Sequence, residues 1–250
     1  VPVNNTPLDQ RDTTLIKNYN LNMQTDYTHP LSQSTKIETG YKGTFRSNDN
    51  EFNSDTLDYS SGNYITNLST KNRFKLSEYI NAVYGSFSGS IKDFSYKFGV
   101  RLEQTNTTGE LLTNSQEFKQ NYFDLFPSAS LSQKIGASHQ LQLSYSRRIT
   151  RPNIWRMNPF FRKWSPNFAM VGNPELKPEY SDSYELSFMF FNKIATVTPL
   201  LFYRQNHGVI SSYNYLQDST LTVTTFKNAT GSKSYGLDLL LNSRALSWMS

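Results

Sequence analysis

Arg147, Arg148 and Arg151 lie close together and lead into a connection, Thr150 to Pro178, that also carries Trp155, Arg156, Phe160, Phe161, Arg162, Lys163 and Trp164. A guanidinium is a planar fork of N–H donors matched to carboxylates, so such a cluster binds anions or pins a chain segment through acidic partners. The acidic side chains nearest in sequence are Glu175, Glu179 and Glu185. Two roles fit: the arginines fix the connection to its surroundings through those glutamates, or they and the rings of Trp155, Phe160, Phe161 and Trp164 line a ligand surface. Proline at 152, 159, 166, 174 and 178 fixes φ and removes backbone donors, which predicts a loop that stays out of any strand ladder. Gly172-Asn173-Pro174 reads as a turn, as do Asn158-Pro159 and Ser165-Pro166.

Catalytic chemistry finds no comparable cluster. His29, His139 and His207 are isolated from cysteines and carboxylates at metal-ligand spacing, and no nucleophile elbow, phosphate loop or dinucleotide fingerprint occurs. Glu38, Glu103, Glu185 and Asp238 fall on the polar faces of predicted strands, where Lys42, Lys97 and Arg101 are natural cross-strand partners. We therefore expect neither enzyme activity nor a metal or cofactor. The net charge of +5 is spread along the chain among 20 acidic residues, so no nucleic-acid partner is expected.

The elements that would carry the arginine cluster are strands. Leu141, Leu143 and Tyr145 alternate with Gln142, Ser144 and Ser146, and Tyr184, Leu186 and Phe188 alternate with Ser183, Glu185 and Ser187. The same period recurs at Ile37–Phe45, Phe94–Leu102 and Tyr235–Leu241, giving each strand one apolar and one polar face. Only 36% of the residues are hydrophobic, yet 14% are aromatic, with 16 Tyr and 17 Phe. That balance suits a barrel with lipid outside and water inside better than an aliphatic core. No apolar run is long enough for a helical span. The absence of cysteine fits passage through an oxidising compartment.

Connections sort by length. Short turns are expected near His29–Gln33, Gly89–Asp93, Ile135–Ser138, Asn192–Lys193 and Ser243–Leu246, and long polar segments at Ser47–Lys71, Asn106–Lys119, Thr150–Pro178 and Ser211–Ser219. Short turns at one end and long loops at the other is the outer-membrane pattern. Counting gives about nine strands and the start of a tenth at Leu246-Ser247-Trp248. Asn228-Ala-Thr-Gly231 reads as a bulge or kink within one strand. Aromatics near strand ends, among them Tyr27, Phe45, Phe87 and Phe94, would form interfacial girdles. Ligand contacts are expected from Trp155 and Trp164 and from loop aromatics: Phe52, Tyr59 and Tyr64 in one segment, Tyr213 and Tyr215 in another. Such rings serve ligand stacking and loop self-packing equally well.

Several short words in order carry a resemblance: Tyr145-Ser-Arg-Arg-Ile149, Arg151-Pro152, Asn158-Pro159-Phe160, Gly172-Asn173-Pro174-Glu175-Leu176 and Pro178-Glu179. With Ile37-Glu38-Thr39-Gly40-Tyr41-Lys42, Gly99-Val100-Arg101-Leu102-Glu103, Leu125-Phe126-Pro127-Ser128 and Tyr235-Gly236-Leu237-Asp238, they make the chain resemble the outer-membrane barrels of the TonB-dependent receptor superfamily, in its Bacteroidetes-type branch.

The resemblance implies an all-β, antiparallel transmembrane barrel in the outer membrane of a Gram-negative cell, of which this chain is one part. No signal peptide, plug domain or barrel-closing C-terminal strand is identified, and the chain reads as a fragment. The resemblance further implies import of a scarce ligand, contact with outer-membrane lipid, a periplasmic TonB-type energy coupler acting through a plug outside this chain, and in some branches a surface lipoprotein lid. A motif shared by receptors for different ligands favours the structural role for Arg147, Arg148, Arg151, Pro152, Asn158, Pro159, Gly172, Asn173, Pro174, Pro178 and Glu179. Two alternatives remain open: a non-transporting outer-membrane barrel serving as adhesin or scaffold, and a soluble carbohydrate-binding β-sandwich.

Overall fold

Alternating strands pair in sequence order to build a curved wall. The computed structural model describes residue 7 and residues 9–66, 70–192 and 194–243. Its first half comprises β1 (Gln10–Pro30), β2 (Thr35–Asp58), β3 (Asn63–Thr66), β4 (Asn72–Ile91), β5 (Phe94–Leu111), β6 (Gln116–Ile135) and β7 (His139–Thr150). The long connection holds α1 (Ile154–Met157), β8 (Arg162–Ser165) and β9 (Phe168–Met170). After it come β10 (Glu179–Phe191), β11 (Ala195–His207), β12 (Ile210–Leu216), β13 (Thr222–Asn228) and β14 (Gly231–Ser243). The wall is a ten-stranded antiparallel sheet ordered β1-β2-β4-β5-β6-β7-β10-β11-β14, with β3 paired to β2. It is an open arc of barrel, as expected. A second sheet, β12-β13-β9-β8, is built from the two long connections.

Register turns the alternation into continuous bands. Leu131, Leu143, Leu186, Leu201 and Leu237 are successive Cα partners across β6, β7, β10, β11 and β14. One outward row nearer the loops, Tyr145, Tyr184, Tyr203 and Tyr235 are likewise partners, with ring centroids 4.9 Å apart for the first pair and 6.1 Å for the second. Toward the short turns the rings of Phe87, Phe94, Tyr96 and Phe98 form a chain, and His139, Phe188 and Phe190 another. An aliphatic belt between two aromatic girdles is what hydrocarbon flanked by headgroups selects.

Several boundary expectations are corrected. Ser47–Lys71 and Asn106–Lys119 are not long loops. β2 runs on to Asp58, and β5 and β6 stay paired up to Leu111–Gln116 across a four-residue turn. Polar residues there do not end the ladder: the antiparallel pair persists where it leaves lipid, with its inward side chains, Asn50, Ser54 and Thr107 among them, buried. Most of the expected loop Ser211–Ser219, up to Leu216, belongs to β12 for the same reason. Asn228–Gly231 is not a bulge within one strand. There the chain leaves the second sheet, as β13, and enters the wall, as β14. The short turns after β1, β4, β6 and β10 fall where expected. The expected strand start at 246–248 lies outside the described residues.

Candidate functional site in the mouth of the wall

The facing pattern inverts where β4 leaves the membrane band. Near its turn Val83, Phe87 and Ile91 face outward. At its far end the outward positions are Arg73, Lys75 and Ser77, while inward Phe74 and Leu76 are buried. Inward apolar side chains at that height require something inside the wall to cover them. The cover is α1: Met157 packs on Phe74, Leu76 and Leu111, with Ile154, Phe118 and Phe160 around them. The Thr150–Pro178 connection therefore folds into the mouth.

Local chemistry builds α1. Pro152 is buried just ahead of the cap residue Asn153, whose Oδ1 accepts the Arg156 N–H at 3.0 Å. The turn ends at Asn158, whose N–H donates to Ile154 O, while its Oδ1 accepts from Phe160 N across Pro159. Gly172 then crosses the back of this turn, its N–H donating to Asn158 O at 2.9 Å. A Cβ there would stand 2.4 Å from that oxygen and 2.8 Å from Arg156 O, so glycine is required by close approach.

Arg151 is the anchor. Its Nη2 donates to Glu103 Oε2 at 2.7 Å and to Thr105 Oγ1 at 2.9 Å, and its Nε donates to Tyr122 Oη at 3.2 Å. Burial opposes its charge, but the Glu103 hydrogen bond and Tyr122 more than compensate and hold the guanidinium above its ordinary value. Glu103 is itself buried and also accepts from Arg101 Nε at 2.5 Å. The partners expected from sequence were different. Glu179 comes within 3.9 Å of Arg156 and accepts the Ile210 N–H, and Glu185 accepts from Ser183. Arg147 lies over the Tyr180 ring at 5.3 Å, and Arg148 is exposed at the end of β7. Proximity in sequence favoured Glu175, Glu179 and Glu185; the curl of the wall brings β5 closer.

The Gly172–Pro178 segment is clamped from two sides. Gln120 Nε2, on β6, donates to Pro174 O at 2.7 Å and Leu176 O at 3.0 Å. Opposite, Asn173 Nδ2 donates to Phe226 O, and Asn228 exchanges hydrogen bonds with both backbone groups of Lys177 while also donating to Gly208 O. The prolines do not exclude strands from this connection, contrary to expectation. They bracket β8 and β9, and β9 pairs in parallel with β13 while Ala169, Leu221 and Val223 pack beneath. Gln120, Asn228 and Tyr122 were not picked out from sequence, and Glu103 was, but as a partner of Lys42, Lys97 or Arg101 rather than of Arg151. The parity inversion at Phe74 and Leu76 was the readable signal that a segment docks inside.

The aromatic candidates separate. Trp155, on α1, and Trp164, on β8, are exposed in the mouth. Phe52 is buried in β2 beneath the Arg162 guanidinium, 3.8 Å from the ring centre. Tyr59 Oη donates to Pro7 O, and Tyr64 Oη to Asp9 with Arg11 over its ring, so both serve local packing near β1. Tyr213 and Tyr215 are exposed on β12, with Lys227 4.8 Å above the first ring. Trp155, Trp164 and Arg162 thus share the mouth, Tyr59 and Tyr64 pack near β1, and Tyr213 and Tyr215 stand on the edge strand of the second sheet. Beneath α1 a cavity of about 20 Å³ is lined by Asn50, Asn72 and Asn158, among others, and is large enough for one water. Asn50 Oδ1 and Asn72 Oδ1 have no hydrogen-bond partner among the described residues.

No curated protein matches the chain. Among solved structures it resembles the copper transporter OprC at 12% identity and TM-score 0.72, over 93% of this chain and 36% of that one. The ferric citrate transporter FecA, unliganded, matches at 11% identity and TM-score 0.67, over 96% and 34%. The Serratia marcescens hemophore receptor HasR, a double mutant in complex with its hemophore HasA and heme, matches at 12% identity and TM-score 0.66, over 92% and 40%. These likenesses show a shared fold, and the chain spans between a third and two fifths of the length of these structures. A family model matches residues 2–250, nearly the whole chain. On that match, the chain belongs to the outer membrane protein β-barrel family and its place is the outer membrane.

Proposed function

We propose that this chain forms wall and mouth of a TonB-dependent-type receptor that takes up a scarce ligand across the outer membrane. The observation that carries the reading is the four-stranded sheet in the mouth, built from both long connections, which Asn228 ties to each other and Arg151 and Gln120 tie to the wall. An open pore has no use for such a structure, whereas a receptor needs a fixed surface that meets ligand before the lumen. The fold shared with OprC, FecA and HasR supports the same reading. The mouth, on this reading, binds its ligand and carries out no reaction on it. On this reading a plug outside the chain closes the lumen, a periplasmic energy coupler pulls on it, and lipid surrounds the leucine belt.

The test is made on the native polypeptide purified from outer membranes. A receptor of this kind is several times longer than the present chain, cross-links to a TonB-type coupler, and gives little steady conductance in a planar bilayer. A polypeptide no longer than this chain, or a large steady conductance, would sink the proposal.

A further inference from the structure

Arg162 is a cation short of partners. Its guanidinium carbon lies 3.8 Å from the centres of both the Phe52 and Trp164 rings, so it is held between two aromatic faces. Its side chain is only 16% exposed. The one carboxylate near it, Asp12 of β1, stands 4.0 Å from Nη2, beyond hydrogen-bond distance. None of its N–H donors forms a hydrogen bond to a described residue, though Arg162 also borders the small cavity that holds the unpartnered Asn50 and Asn72 oxygens. Ring faces stabilise a cation by about 0.5–2 kcal/mol but accept none of its directional hydrogen bonds. A half-buried guanidinium in that state is pre-organised for an anion and has little to give up in taking one.

The space beside it has matching chemistry. A cavity of about 320 Å³ adjoins Arg162 and is lined also by Gln10, Ser54, Phe160, Phe161, Lys163 and Trp164. Phe161 and Trp164 present exposed ring surface, and Gln10 and Ser54 line the cavity from the wall. The carboxylate among the lining residues, Asp12, stands 4.0 Å from Arg162, so the guanidinium donors stay free to attract a negative group. A planar guanidinium pairs best with a planar, two-oxygen acceptor. Flanking rings suit a flat apolar body attached to it.

We propose that this cavity binds the carboxylate of a ligand in which that group is joined to a flat, largely apolar moiety. Arg162 is the charged contact and Trp164 and Phe161 form the platform. The inference rests on the reading of the mouth as a ligand-receiving surface and names the class of ligand it takes. Asp12 marks the outer limit of the site and moves away from Arg162 when the carboxylate enters.

The probe pair is 4-hydroxybenzoate and its neutral amide, 4-hydroxybenzamide, titrated by saturation-transfer NMR into the full-length protein in lipid nanodiscs, with empty nanodiscs as baseline. The expected result is that the carboxylate binds about tenfold tighter than the amide. Arg162→Gln should remove that preference, and Trp164→Leu should weaken binding of both. Equal binding of the two probes, binding of neither, or an undiminished preference in Arg162→Gln would each overturn the proposal. If the variant does not fold, the preference of the unaltered protein decides by itself. The titration needs no energy coupler. Lost preference in a closed, coupled barrel therefore refutes this site alone, and large conductance with intact preference refutes the receptor reading alone.

Discussion

Arg151 and Glu103 are 48 residues apart in the chain, and their side chains meet at 2.7 Å. The carboxylate is shared, with one oxygen on Arg101 of the same strand and the other on the first residue after β7. Glu103 follows directly on Leu102, the last apolar residue of the outward series on β5, so the contact lies at the height where lipid gives way to water. It is the point at which the inward-folded connection is fastened to the wall.

Arg151→Met should therefore destabilise the protein by about 3 kcal/mol, the lower end for breaking a buried pair, because Arg101 still partners Glu103. Adding Glu103→Gln should cost less than the sum of the two single changes, which a double-mutant cycle in urea unfolding would measure. Arg151→Lys should rescue little. An ammonium cannot reach Glu103, Thr105 and Tyr122 with the geometry of a guanidinium fork. Strict additivity would mean that the contact does not fasten the loop.

The facing of the strands makes a second prediction. Phe98 and Leu239 point outward, and Ser144 points inward between Ser130 and Glu185. Arginine at either of the first two positions should cost about 2–4 kcal/mol and reduce assembly, while Ser144→Arg should be tolerated. Heat-modifiable migration of the folded barrel in gels reads this directly. Equal behaviour of all three would invalidate the facing.

Much of this was legible in the chain. Period-two alternation located β2, β5, β7, β10 and β14, because lipid punishes an outward charge, and the short turns followed. What was not legible had one physical cause: above the membrane, polarity no longer reports facing. Asn50, Ser54 and Thr107 are polar and nearly inaccessible, and they sit in ladders that read as loops. The motif loop was located but its partners were not. Gln120 and Asn228 meet Leu176 and Lys177 only once β6 and β13 are placed in space. The sequence pattern did hold one unused clue, the change of apolar parity between Val83 and Phe74.

A pH dependence belongs to the turn after β2. Asp58 accepts from the Ser60 and Ser61 hydroxyls and from the Ser60 N–H, which lowers its pKa to about 2. An unfolded aspartate titrates near 3.9, so this contribution is present above that pH and is lost as pH falls through about 2. Exchange of the Ser60 amide should stay protected at pH 3 and accelerate as pH approaches 2. Asp58→Asn should flatten that profile, since the amide does not titrate. A midpoint near 4 in the unaltered protein would show that the hydroxyls do not hold the carboxylate.

Gly172 offers the sharpest test of how the mouth is built. Its neighbours at the Cβ position are all backbone: Asn158 O at 2.4 Å, with Arg156 O and Asn158 N at 2.8 Å. No rotamer change can relieve that crowding, so Gly172→Ala must push α1 away from the segment that crosses it. Met157 would then lift from Phe74, Leu76 and Leu111, at a cost of about 1–3 kcal/mol, as for an overpacked core. Gly62 is the contrast, because a Cβ there meets nothing within 4 Å and its φ of 70° alone penalises alanine, by about 1–2 kcal/mol. Hydrogen exchange separates the two mechanisms. Gly172→Ala should expose the Asn158 and Gly172 amides together, whereas Gly62→Ala should leave both protected. Protection unchanged in Gly172→Ala would mean that the connection is not seated on α1.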